Sequence, residues 1–92
     1  MPELSVNGRL ICRTEAEADA VRIHLPDHIA ATRNEPGCLS FEITQTDDPL
    51  VWAIAERFTD RAAFQAHQDR TATTEWARAT AGIPRDMTIG GE

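Results

Sequence analysis

The chain has 92 residues, of which 41% are hydrophobic and 26% charged, and its formal net charge is −6. These proportions are typical of one soluble globular domain, and a chain this short buries only about 60–65% of the surface that its unfolded form exposes. The acidic balance and the lack of a basic run exclude nucleic acid and anionic membranes as natural partners. No apolar stretch reaches the roughly 20 residues that a membrane helix needs.

The N-terminus lacks a basic head followed by a hydrophobic core, which predicts a cytoplasmic protein. Cys12 and Cys38 have no metal-ligand spacing, and two cysteines are too few for a secreted disulfide scaffold. We expect both to be free, partly buried thiols.

The first half of the chain predicts a strand and a long helix. The strand should run from Leu4 to Arg13, with Val6 and Asn7 on opposite faces. Thr14-Glu15-Ala16-Glu17 is a capping box, in which the Thr hydroxyl binds the third amide and Glu17 reaches back. The helix should end near Arg33. Its inward stripe is expected to comprise Ala18, Val21, Leu25, His28 and Thr32.

The second half predicts a β-hairpin, two helices and a weak last strand. The expected elements are a strand over Leu39 to Thr46, a turn at Asp47-Asp48-Pro49, a strand over Leu50 to Phe58, a helix from Asp60 to about Arg70, a short helix over Trp76 to Ala81 and a strand over Arg85 to Gly90. In the first of these strands, the alternation places Leu39, Phe41 and Ile43 on one face.

The order β-α-β-β-α-(α)-β is the ferredoxin-like arrangement, an α+β fold with a four-stranded antiparallel sheet and helices on one face. The third strand is apolar on both sides, with Val51, Ala53 and Ala55 opposite Trp52 and Ile54. Because one chain has helices for only one sheet face, we expect a homodimer that packs sheet against sheet. The two cysteines should lie at opposite ends of the sheet, too far apart for a disulfide.

These elements resemble the antibiotic biosynthesis monooxygenase (ABM) family of dimeric α+β barrel proteins. The likeness covers essentially the whole chain as a single domain over residues 1–92. The residues that carry it are Asn34-Glu35-Pro36-Gly37-Cys38-Leu39-Ser40-Phe41-Glu42, Asp48-Pro49, Glu56-Arg57-Phe58 with Asp60, and Ala63-Phe64-x-x-His67. The family includes quinol oxygenases, anthrone oxygenases, haem-degrading enzymes and members with no assigned substrate.

The resemblance implies cofactor-independent oxygenation of a small aromatic substrate. A phenol, quinol or anthrone loses a proton in an apolar pocket, the anion gives an electron to O2, and the radical pair combines. Such a site needs neither flavin nor metal, and the sequence has no dinucleotide fingerprint or phosphate loop.

His67 and Glu56 are the candidate catalytic residues. His67 follows Phe64 by three residues, so both should face the sheet, and an imidazole suits the removal of a phenolic proton near neutral pH. The alternative is a buried histidine bonded to a backbone carbonyl or to Glu56. Glu56 shares a strand face with apolar residues and would act as a base, orient His67, or pair with an arginine across the dimer interface.

The candidate substrate-binding residues are Asn7, His28, Phe41, Trp52, Phe64 and Trp76. Asn7 and His28 would orient the substrate, and the aromatic residues would form walls. A surface hydrogen bond for Asn7 and plain core packing for Trp76 remain open alternatives. His24 and His28 have a spacing that can serve a metal, but no third ligand pattern accompanies them, so no metal is predicted. Arg70 and Arg85 could meet an anionic substrate.

The main functional alternative is a non-catalytic dimer that binds a small aromatic ligand or serves as a partner module. The lack of tyrosine and of an unmistakable catalytic pair favours it. A haem-degrading role ranks third. That branch is expected to have an Asn on the first strand, a Trp on the second helix and a His on the third. Asn7 fits, but His67 stands near the Trp position, and Trp76-Ala77 stands where the His should be.

Overall fold

The computed structural model describes residues 3–90 and confirms the ferredoxin-like arrangement. Its elements are β1 (Leu4–Ile11), α1 (Glu15–Arg33), β2 (Cys38–Gln45), β3 (Val51–Phe58), α2 (Arg61–Thr71), α3 (Glu75–Thr80) and β4 (Arg85–Gly90). The strand order is β2-β3-β1-β4, and every neighbouring pair is antiparallel. None of the helices in residues 3–90 has the length and apolar character to span a membrane.

Helix α1 begins where the sequence predicts, with one bond placed differently. The Thr14 hydroxyl accepts a hydrogen bond from the Glu17 N–H at 3.2 Å. The Glu17 carboxylate, however, does not bind the N–H of the cap residue Thr14. It accepts the N–H of the preceding residue, Arg13, at 2.7 Å. It also binds the Arg13 guanidinium, so an ion pair reinforces the helix start. The predicted inward stripe of α1 is buried along its whole length, and Pro26 lies within the helix.

The start of β2 departs from simple alternation. Leu39 was expected to face inward with Phe41 and Ile43, but it is 46% exposed, whereas the other two are buried. The pairing of β2 with β3 shifts register between Cys38 and Ser40. Such a bulge adds one residue to a strand and resets which side chains face the core. The inward position predicted for Leu39 is therefore wrong.

The turn between α1 and β2 brings α2 close to the sheet. A Cβ atom on Gly37 would lie 2.2 Å from the Cβ of Ala63 on α2. No side chain fits in that space, so glycine permits the first turn of α2 to pack directly on this turn. Asp60 caps the helix there by accepting the Ala63 N–H at 2.8 Å.

The two cysteines lie at opposite ends of the sheet, as predicted. The N–H of Cys12 donates to the carbonyl of Leu50 before β3, whereas Cys38 pairs with Phe58 at the end of β3. Both are free thiols, and burial raises the pKa of each.

Candidate active site

A buried imidazole lies between two carboxylates beneath α2. His67 is 4% exposed, and its Nδ1 lies 2.8 Å from Oε1 of Glu35. Its Nε2 points the other way and lies 4.0 Å from Oε1 of Glu56 on β3. The second distance is too long for a hydrogen bond and leaves Nε2 open to a small bound group.

Glu35 is held in place from a second direction. Its other oxygen, Oε2, accepts a hydrogen bond from Nε of Arg70, one turn after His67 on α2. Nη2 of Arg70 also donates to the Thr32 hydroxyl on α1 at 3.1 Å. The turn after α1 and the C-terminal half of α2 are therefore linked through one carboxylate. Glu35 was not among the site residues that the sequence suggested.

The charges at the site are set mainly by burial. Burial raises the pKa of Glu56 to about 7, and the negative charge of Glu35 adds to this effect. Burial lowers the pKa of His67, and the hydrogen bond that His67 donates to Glu35 opposes that shift. Burial also lowers the pKa of His28 to about 4, with a contribution from His67. At neutral pH the two imidazoles are therefore uncharged, and Glu56 lies near the midpoint of its titration.

His28 forms part of an aromatic wall beside His67. It stacks on Trp76 of α3 with ring centroids 4.6 Å apart and planes 5° from parallel. It meets Phe41 of β2 edge-on at 5.2 Å. Within the described residues its buried Nδ1 has no hydrogen-bond partner. A buried polar atom without a partner is costly in a purely structural residue, so this nitrogen is available to a bound group.

A cavity of about 60 Å³ lies among these groups. Its lining includes His28, Glu56, His67, Trp76 and Arg85. This space holds one or two waters, whereas sites for drug-sized ligands usually have roughly 300–1,000 Å³. An aromatic substrate therefore needs a side chain of the wall to move.

A surface cleft of about 180 Å³ lies beyond the same wall and also borders His28 and Trp76. The stacked pair of His28 and Trp76 thus borders both the small cavity and this cleft. A wider groove of about 420 Å³ lies between the start of α1 and the β2–β3 hairpin. No imidazole lines that groove, whereas another groove of about 580 Å³ beside α2 is lined by Glu35, His67 and Arg70. We place the site at the cavity where His28, Glu56 and His67 meet, because of its chemistry rather than its size.

A family model described as "Antibiotic biosynthesis monooxygenase" matches residues 6–79. The chain belongs to the antibiotic biosynthesis monooxygenase family. A comparison with curated protein sequences finds no match.

Solved structures place the chain in the ABM fold over its full length. A Nitrosomonas europaea protein named for the same family superposes with a TM-score of 0.84 at 22% identity, covering 98% of this chain and 89% of that one. PA3566 from Pseudomonas aeruginosa gives 0.81 at 21%, covering 100% and 95%. SnoaB, a cofactor-independent oxygenase from Streptomyces nogalater, gives 0.78 at 15%, covering 98% and 92%. At these identities the likeness concerns the fold.

Within this ABM fold, five of the eight suggested site residues come together. The residues that line or contact the cavity group are His28, Phe41, Glu56, His67 and Trp76. Strand alternation and the inward stripe of α1 explain this convergence, because both direct their side chains to the layer between sheet and helices.

The other three suggested residues lie elsewhere. Asn7 is exposed on the sheet face that the helices do not cover, because it alternates with the buried Val6. Trp52 belongs to the larger core cluster at the opposite end of β3. Phe64 packs on Phe58 with ring centroids 5.5 Å apart, in a second core cluster, and its ring lies 6.4 Å from that of His67, but it does not line the cavity. The structure does not bring these three to the cavity.

Glu56 faces the helices rather than the open face of the sheet. The suggested pairing with an arginine across a sheet-on-sheet interface therefore does not fit its position. Residues 3–90 contain no group of three or more His, Cys, Asp or Glu side chains placed to hold a metal ion.

Proposed function

We propose that this ABM protein is a cofactor-independent monooxygenase that oxidises an electron-rich aromatic molecule, such as a quinol, anthrone or polyphenol, with O2. The observation that carries the proposal is the position of Nε2 of His67, an uncharged base that borders the small cavity 4.0 Å from Glu56. The fold likeness to SnoaB supports the same reaction class.

In the proposed reaction, Nε2 of His67 takes the acidic proton of the bound substrate. The imidazolium that forms is stabilised by the neighbouring carboxylates, and the substrate anion remains in a weakly polar space. The anion transfers one electron to O2, and the resulting radical and superoxide combine to a peroxide. Loss of water from the peroxide leaves one oxygen atom in the product. Two substrate hydrogens leave in that water, which balances the reaction without an added reductant.

Glu56 completes the proton transfers in this scheme. Because its pKa is about 7, it both accepts and donates a proton near neutral pH at little free-energy cost. Its carboxyl group is within reach of any small group that binds at Nε2 of His67. We therefore propose that Glu56 supplies the proton needed to release water from the peroxide.

Oxygen uptake by the purified protein tests this function. The assay uses reduced naphthoquinols, benzoquinols and anthrones, with EDTA present and no cofactor added. Uptake should exceed uncatalysed autoxidation for at least one class and fall by about 100-fold or more in His67→Ala. Asp47→Asn, which changes an exposed carboxylate in the β2–β3 turn, serves as the control and should retain the wild-type rate. Uptake no faster than autoxidation across the panel contradicts the proposal.

We also propose that the working form is a homodimer joined through the open sheet face. On that face of β3, Val51 and Ala53 are half-buried and Ala55 is exposed, with no helix of the same chain above them. Light scattering should give twice the mass of one chain at micromolar concentration. Ala55→Glu should shift the mass toward one chain, because it places a charge on the apolar face. A wild-type mass of one chain contradicts this proposal.

The 4.0 Å distance between Nε2 of His67 and Glu56 is too long for a hydrogen-bonded catalytic pair. It favours one alternative, a dimer of the same fold that binds an aromatic ligand without oxidising it. Such a protein needs the aromatic wall but not the base. Quenching of Trp76 fluorescence by a quinol, at saturation and without oxygen uptake, would support it. A haem-degrading role is disfavoured because α3 carries Trp76 in place of the expected histidine, and haemin should produce no Soret shift.

A further inference from the structure

We infer that Glu35, clamped by Arg70, is a positioning residue that holds His67 as the Nδ1–H tautomer and so turns the Nε2 lone pair toward the cavity. Nothing in the sequence pattern assigned a role to Glu35 beyond its place in the turn motif. The catalytic meaning of this arrangement depends on the proposed function, whereas the tautomer itself does not.

The direction of the hydrogen bond follows from the donor inventory. An ionised carboxylate only accepts, so at 2.8 Å from Glu35 the Nδ1 atom of His67 must carry the proton. A neutral imidazole has one N–H, and its other nitrogen therefore holds a lone pair. The Thr71 hydroxyl also lies near Nδ1, but at 3.5 Å it is too distant to compete with the carboxylate.

Arg70 makes this arrangement rigid. A guanidinium has donors only, so the bond from Nε fixes Oε2 of Glu35 and leaves Oε1 to His67. Arg70 is itself anchored on α1 by the Thr32 hydroxyl. Glu35 is buried enough, at 17% side-chain exposure, for this pair to be partly shielded from water. An exposed ion pair would lack the rigidity that orientation of a base requires.

Glu35→Gln is the informative variant because Arg70 determines how the amide must turn. Arg70 can only donate, so it should take the amide oxygen, and the NH2 group then faces Nδ1 of His67. Nδ1 must accept that bond, and the proton moves to Nε2. The substitution keeps the size of the side chain and is expected to invert the tautomer. With its lone pair turned away from the cavity, His67 no longer serves as the base.

The tautomer is measured directly by 15N–1H correlation spectra of the imidazole nitrogens in 15N-histidine-labelled protein. The chain has three histidines, and His67→Ala assigns the signals of interest by their loss. Wild type should show Nδ1–H, and Glu35→Gln should show Nε2–H with at least about a 100-fold lower turnover. Asp47→Asn removes an equal charge from the exposed β2–β3 turn and should change neither reading.

A double variant, Glu35→Gln with Arg70→Met, provides rescue. Without the guanidinium the amide is free to turn its oxygen to His67, so Nδ1–H and part of the turnover should return. Wild-type protein with Nε2–H, or a Glu35→Gln variant that keeps Nδ1–H, overturns the inference. Turnover that survives the inversion overturns the positioning role but leaves the oxygenase. Inversion in a protein without any oxygen uptake overturns the oxygenase and leaves the tautomer assignment.

Discussion

Glu56→Gln should stabilise the protein above neutral pH. Glu56 is 6% exposed on β3 and faces the helices. Burial, together with the nearby charge of Glu35, raises its pKa from 4.5 to about 7. Glutamine has nearly the same shape and cannot ionise. The substitution therefore removes a buried charge without opening a cavity.

The expected size follows from the pKa. A pKa of about 7 in the folded state, against 4.5 in the unfolded state, corresponds to about 3 kcal/mol at 1.36 kcal/mol per pKa unit. Below pH 4.5 the carboxyl group is protonated in both states and contributes nothing. As the pH rises from 4.5 to 7, the unfolded chain releases this proton and the folded chain keeps it, so stability falls. Above pH 7 the full destabilisation by Glu56 is present.

Urea unfolding at pH 5, 6, 7 and 8, followed by tryptophan fluorescence at one protein concentration, measures this effect. The stability advantage of Glu56→Gln over wild type should grow with pH, by up to about 3 kcal/mol, and level off above pH 7. Asp47→Asn in the exposed β2–β3 turn is the control, and its difference from wild type should not depend on pH in this way. A Glu56→Gln difference that stays constant from pH 5 to 8 would refute the reasoning, because Glu56 would then ionise as readily in the folded state as in the unfolded chain.

Three further changes test the packing and the cap. His28→Phe keeps a ring stacked on Trp76 but cannot take up a proton. Between pH 6.5 and 4 only the unfolded form of His28 is protonated, so wild type should lose about 3 kcal/mol of stability in urea unfolding over this range, and the variant should not. An equal loss of stability in both proteins would contradict this. Gly37→Ala should lower stability by about 1–3 kcal/mol through collision with Ala63, and Ala63→Gly in the same chain should restore the melting temperature. Thr14→Ala should lose about 1 kcal/mol in thermal unfolding, since it removes the cap of α1. An unchanged melting temperature in Gly37→Ala or in Thr14→Ala would argue against the role given to that residue.

The fold was predictable because its signals are local. Caps at Thr14 and Asp60, the Pro36-Gly37 turn and the strand alternation each depend on a few neighbouring residues, and the observed elements begin and end within about two residues of the predicted positions. The helix-facing position of His67 and Glu56 follows from the same periodicities. Alternation alone also put Asn7 on the other face, although its amide on a central strand had made it a candidate for orienting the substrate.

The remaining features depend on contacts that no local pattern reports. Glu35 and His67 are 32 residues apart in the sequence. They make contact because the turn after α1 packs against α2 at a fixed distance. The bulge at Leu39 is fixed by pairing with β3, not by the β2 sequence itself. The size of the cavity depends on how closely Trp76 stacks on His28. An acidic residue immediately before a Pro-Gly turn, in a chain with a buried histidine, was the one available hint toward Glu35.

The same turn that sets the fold also sets the chemistry. Because Gly37 has no side chain, α2 packs against the turn at Ala63, one helical turn before His67. That separation decides whether Glu35 reaches Nδ1 and, through it, which nitrogen of His67 faces the cavity. An added methyl group at Gly37 would lower stability by disturbing the packing on Ala63. It would also change the distance between Glu35 and Nδ1 of His67. The turn therefore determines both the packing of α2 and the position of Glu35. A change in the turn should affect the tautomer of His67 even where the protein still folds.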